Sequence, residues 1–97
     1  MNIPNKVKVA GITYKVIKNH PFNGESYAGQ TVHTVTEIKL GEQFDGKKYD
    51  KQKIEETFIH EILHCIDSVY NSQGLDEGTI DRLSQGMYQV FKDNKIF

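Results

Sequence analysis

This chain lacks long apolar runs, a second cysteine, a charge excess of either sign, and any internal repeat or low-complexity stretch. Each absence removes a class of protein. No run approaches the roughly 20 apolar residues of a membrane helix, so no spanning segment is expected. Met1 to Lys6 lead into no apolar core of signal-peptide length, which predicts a protein that stays in the cytoplasm where it is made. Cys65 is alone and cannot form an internal disulfide, in keeping with a reducing compartment. Twelve basic residues against thirteen acidic ones give a formal net charge of -1. That balance creates no general field for nucleic acid, so neither nucleic acid nor membrane is expected as a partner. With 97 residues there is room for one domain, residues 1–97, and a core with little to spare.

What the chain does have is His60-Glu61-Ile62-Leu63-His64. On a helix, residues four apart lie one above the other, so the two imidazoles can share a metal ion. Glu61, one step round, is poorly placed as a ligand but within reach of water at the same ion, which suits a general base. Ile54, Phe58, Ile62, Cys65, Ile66 and Val69 recur at threes and fours and predict an amphipathic helix carrying the motif. Asp50 suits its N-cap, with Tyr49 and Ile54 as a hydrophobic staple, and Asn71 and Gly74 supply its stop. One helical step of about 100° turns Cys65 toward the apolar stripe, so a buried thiol is expected there in preference to a ligand.

Before this helix, alternation over Lys6–Ile17 predicts two strands joined at Ala10-Gly11. Asn19 to Gly24 is a turn cluster opening a loop that runs through Gly29. Thr31–Leu40 reads as a third, edge-type strand with Val32, Thr34, Thr36, Ile38 and Leu40 on one face, and Gly41–Asp50 as a surface connection. After Gly74, Ile80, Leu83, Met87 and Val90, widened by Tyr88 and Phe91, predict a second helix capped by Asp76. Gly86 inside it suggests close packing against the first helix. The expected fold is α+β, with a small antiparallel sheet of about three strands packed on two antiparallel helices.

Catalytic zinc takes three protein ligands and keeps a position for water, so two histidines need a third partner. Glu77 and Asp81 follow His64 by thirteen and seventeen residues and share one face of the second helix. The longer reach of Glu77 assigns it to Zn2+ and leaves Asp81 to accept a histidine N–H, with the exchanged roles as the alternative. His20 and His33 have no partner at ligand spacing and read as surface histidines, with ligand or transition-state donor as the other option. Tyr27, Tyr49, Tyr70 and Tyr88 are each candidates for an oxyanion donor.

The run Glu56–Ile66, followed by Leu83–Asn94, resembles small zincin-like metallopeptidase proteins encoded by phages and prophages, related more loosely to the ImmA/IrrE type. Glu77-Gly78-Thr79-Ile80-Asp81 is similar to the ExxxD element of gluzincins, in which the Glu binds zinc and the Asp supports a ligand histidine. The resemblance implies a zincin-like fold, zinc held by His60, His64 and Glu77, and cytoplasmic action in a bacterial host on a protein or peptide substrate. It carries over no substrate pocket, because much of the usual peptidase body is absent. Two functions follow: a zinc peptidase with Glu61 as base, or a phage regulatory or binding module that keeps its metal for stability.

Overall fold

Alternating apolar side chains build the first two strands. In the computed structural model, which describes residues 1–23 and 27–96, β1 (Lys6–Val9) and β2 (Ile12–Ile17) pair antiparallel with Val9 opposite Ile12. Between them Ala10 and Gly11 have φ of 52° and 87°. Positive φ at both central positions matches a two-residue turn to the twist of its strands. Val9, Tyr14 and Val16 turn into the core, while Lys6, Lys8 and Lys15 stay in solvent. Part of the turn and loop expected from Asn19 to Gly29, residues 24–26, lies outside the described residues.

The segment Thr31–Leu40 is not the single strand its composition suggests. β3 (Gly29–Val32) ends in a 3-10 turn at His33–Val35, Thr36 follows at φ 50° and ψ 57°, and the chain returns as β4 (Glu37–Leu40). A β-branched residue in this left-handed region costs about 1–3 kcal/mol and must be held there by its surroundings. Here it lets the two strands pair with each other, Thr31 opposite Ile38 and Val32 opposite Glu37. The reversal shifts the phase of the alternation, so Thr31 rather than Val32 shares the inward face of Ile38.

β4 also pairs with β2, in parallel, and the sheet order is β1-β2-β4-β3. The fold is α+β as expected, but this sheet is four-stranded and mixed. From β2 the chain crosses to the far edge, forms β3 and returns between the two, which obliges β4 to run alongside β2. β3 is left as an edge strand. The presumed plain connection before the first helix holds a small hairpin, β5 (Gln43–Phe44) and β6 (Lys47–Lys48). Its turn is Asp45-Gly46, at φ 50° and 77°.

α1 (Lys51–Tyr70) packs on one face of the sheet, and α2 (Glu77–Asp93) packs against α1 rather than joining it on the sheet. Asp50 occupies the N-cap position of α1 without a capping bond from its carboxylate, whereas Asp76 accepts the Thr79 N–H at 2.7 Å. α1 is buried along two rows. Phe58 and Cys65 join Val9, Tyr14, Val16, Ile38 and Leu40 in the core, with Ile62 and Val69 packed against them. Glu55, Ile59, Leu63 and Asp67, one residue in four, form the second row. It faces α2 and the turn that leads into it, because Glu55 accepts from the Tyr88 hydroxyl at 2.6 Å and Asp67 from the Leu75 N–H at 3.2 Å.

The helices run antiparallel, since Tyr88 and Lys92 late in α2 reach Glu55 and Gln52 early in α1. The buried row of α2 is Ile80, Ser84 and Tyr88; off that row Met87 and Phe91 are half-buried while Leu83 and Val90 are exposed, as is Ile66 on α1. Gly86 is exposed too, and a Cβ there would meet nothing within 4 Å, so it is not a close-packing point. Between the helices the buried Asp67 carboxylate also accepts from Asn71 Nδ2 at 2.9 Å, and its carbonyl accepts the N–H groups of Asn71 and Gln73. This one residue ends α1 and turns the start of α2 back toward His60. No helix among the described residues is long and apolar enough to cross a membrane.

Candidate metal centre

His60 and His64 stand one turn apart on α1, with ring centroids 4.9 Å apart. The antiparallel return places Glu77, the first residue of α2, directly over them. Its Oε1 lies 2.8 Å from His60 Nε2 and its Oε2 3.0 Å from His64 Nε2. One ligand atom from each residue falls within a 4.8 Å cluster. Asp81 sits on the opposite side of the His60 ring, its Oδ1 3.5 Å from Nδ1, with Ser84 Oγ 3.4 Å from the same nitrogen.

These contacts favour one tautomer of the ring. Ser84 gives its one hydroxyl proton to the Asp81 carbonyl at 2.9 Å, so toward His60 it can only accept. Asp81 can only accept as well. The Nδ1–H tautomer is the one these acceptors favour, and it turns the Nε2 lone pair toward Glu77. At 2.8 Å from the Glu77 carboxylate an Nε2 lone pair would face an electron-rich oxygen, an arrangement that a bound cation would relieve. Two imidazole nitrogens and one carboxylate, with an outer carboxylate and hydroxyl holding a ligand ring, form a donor set that zinc accepts.

Glu61 faces the other way, toward the sheet. It is 5% exposed, and Thr31 Oγ1 donates to its Oε1 at 2.8 Å. Burial pushes its carboxyl up, the Thr31 hydrogen bond and the two imidazoles pull it back, Glu77 adds to the rise, and the net direction is upward. Gly29 lies beside the other oxygen: a Cβ there would be 3.1 Å from Glu61 Oε2 and 2.6 Å from Thr57 Cγ2. The edge strand reaches α1 only because this position has no side chain. Together β3, α1 and the start of α2 wall a cleft of about 490 Å³.

His60, Glu61, His64, Glu77 and Asp81 all border that cleft, and so does His33, which is not the detached surface histidine its spacing suggests. His20 lies apart, edge-on to Phe22 at 4.7 Å. Cys65 is in the core, its thiol pushed up to about 11 by burial. Of the tyrosines considered, Tyr27 borders the cleft, Tyr88 is engaged with Glu55, and Tyr70 is exposed. Thr31, Gly29, Ser84 and Asp67 escape sequence reasoning. Only Ser84 carries a signal, its place midway between Ile80 and Tyr88 on one helical row. Comparison of the chain with protein-family models, with curated proteins and with solved structures finds no match in any of the three.

Proposed function

We propose that this chain is a zinc-dependent peptidase of small zincin-like design, acting on a protein or peptide in the cytoplasm of a bacterial host. The observation that carries the proposal is the convergence of His60 Nε2, His64 Nε2 and the Glu77 carboxylate beside a second, separately anchored carboxylate, Glu61, at the foot of an edge strand. Zinc, when bound by the first three, polarises a carbonyl and acidifies water.

The chain's own residues supply the rest. Asp81 and Ser84 hold His60 in the Nδ1–H tautomer that leaves Nε2 for the ion. Thr31 occupies Glu61 Oε1, so Oε2 is the oxygen left to take a proton from water and return it to the departing amine. The free edge of β3 offers backbone groups to an extended peptide, which would lie along the cleft by strand addition. The alternative is a regulatory or binding module with a non-catalytic metal. In its favour, the cleft walls are mainly polar side chains, with little to grip a specific side chain.

Glu61→Gln separates the two. The substitution keeps shape and all three proposed ligands, so zinc content and stability should match wild type while hydrolysis of a proteome-derived peptide library disappears. Chelator-sensitive cleavage that survives in the variant would remove Glu61 from the role of base.

A further inference from the structure

We propose that His33 is a substrate-contacting residue of this cleft and that Tyr14, buried beneath it, is its positioning residue. The inference rests on the peptidase reading above and names an imidazole-to-substrate contact that the metal motif does not contain.

Three features of the chain converge on it. His33 borders the same cleft as Glu61 and Glu77. It follows directly on β3, the strand whose Gly29 and Thr31 already touch Glu61, so it stands at the end of the edge along which a peptide would lie. Its Nδ1 is 3.1 Å from the hydroxyl of Tyr14, and the rings meet edge to face at 6.1 Å and 85°. Tyr14 is 2% exposed in the middle of the core and cannot follow a moving partner. One ring nitrogen of His33 is thus held by the interior, while Nε2 has no protein partner among the described residues.

The backbone around it is also unusual. A plain hairpin would carry Gly or Asn at a left-handed position, whereas here Thr36 takes it, its N–H reaching back to the His33 carbonyl at 3.2 Å, and Val35 is left 57% exposed. Breaking a local rule in this way, with an apolar residue spent in solvent, is characteristic of a segment shaped for something other than stability. What the turn achieves is to bring the imidazole over Tyr14 and into the cleft wall. In this proposal the phenol donates to Nδ1, so that Nε2 carries the ring proton and donates to a carbonyl oxygen of the bound peptide.

The test uses zinc-loaded protein and a phosphinic pseudopeptide of alanine, in which a tetrahedral phosphinate replaces one peptide carbonyl. Titration calorimetry gives its affinity, metal analysis gives zinc content, and long-range nitrogen-15 spectra of the histidine rings give the His33 tautomer. His33→Ala should keep full zinc and lose about 10–100-fold in affinity, the worth of a hydrogen bond to a charged group. Tyr14→Phe, which keeps the core's shape, should keep zinc, scramble the Nε2–H signature of His33 and weaken binding by a smaller factor. Unchanged affinity in His33→Ala overturns this inference and leaves the peptidase standing. Zinc-loaded wild type that does not bind the phosphinate overturns both.

Discussion

Gly29→Ala is the most direct test of how the sheet is seated on the motif helix. Gly29 has no positive φ, so the substitution strains no backbone and acts only through the added methyl group. That methyl would fall 2.6 Å from Thr57 Cγ2, closer than two carbons tolerate, and 3.1 Å from Glu61 Oε2. Something must give. Overpacking of this kind costs about 1–3 kcal/mol, and for a domain of 60–100 residues each kcal/mol lowers Tm by about 4–8 °C. Urea unfolding with unchanged m-value would measure it.

The partner substitution sharpens the claim. Thr57→Ser removes the Cγ2 methyl while the hydroxyl can keep its 2.7 Å bond to the Lys53 carbonyl. Alone it should cost less than about 1 kcal/mol, the value of one partly buried methyl. Combined with Gly29→Ala it should restore most of the lost stability, a coupling of about 1–2 kcal/mol in the favourable direction. The contact with Glu61 would persist in the double variant, so if the chain is the proposed peptidase, both Gly29→Ala and the double variant should keep zinc content and lose hydrolysis. Strict additivity of the two substitutions, or a Gly29→Ala protein as stable as wild type, would refute the close seating of β3 on α1.

Two further predictions concern the acids. Glu77→Ala should abolish tight zinc binding, whereas Asp81→Ala should weaken it about 10–100-fold, as expected for a group acting through a ligand; the reverse order, read by competition with a fluorescent chelator, would exchange their roles. Glu55 is buried, and although burial alone would raise its carboxyl, the Tyr88 hydroxyl, the Met1 amino group and Lys51 hold it below the usual value of 4.5. A depressed carboxyl favours the folded state above the unfolded pKa and loses that contribution as pH falls through its folded one. Glu55→Gln should therefore cost about 1.5–3 kcal/mol at pH 7, with the gap to wild type closing as pH drops below 4.5; a gap independent of pH would contradict the pairing.

Helix periodicity and local motifs made the α side of the molecule legible. The placement of His60, His64 and Glu77 follows from spacing along two helices and one short turn, all short-range facts. The β side depends on a reversal at His33–Thr36 that no residue there advertises, since Thr is a poor occupant of a left-handed position. Without that reversal, alternation alone places Val32 inward, hides Thr31 as the partner of Glu61 and leaves His33 without a context. Gly29 was invisible for a different reason: its role is the absence of a side chain at a contact formed across 32 residues of sequence. The Asp45-Gly46 hairpin, by contrast, carried a readable signal in its dipeptide. Period alone counts Leu83, Val90 and Ile66 among the apolar stripes, yet all three are exposed. Burial on α2 follows the row facing α1, which admits the small polar Ser84 ahead of larger apolar neighbours.

Metal removal discriminates between a working site and a staple. A structural ion is typically the nucleus around which a small domain folds, and chelation then unfolds it. In this chain the core of Val9, Tyr14, Val16, Ile38, Leu40, Phe58 and Cys65 contains none of the proposed ligands. Those ligands sit at the rim, the Glu77 side chain 68% exposed and the His64 side chain 27%. The Glu77 and Asp81 carboxylates are exposed to water when no ion is bound, so removal leaves no buried charge uncompensated. Chelated protein should therefore keep its far-ultraviolet dichroism and a cooperative unfolding transition at neutral pH. Its stability should fall only by the mass-action amount, about 2.7 kcal/mol relative to zinc at a hundred times its Kd. Re-addition of zinc should restore the difference without a refolding phase. Loss of secondary structure on chelation would make the ion the fold's support and favour the binding module over the peptidase.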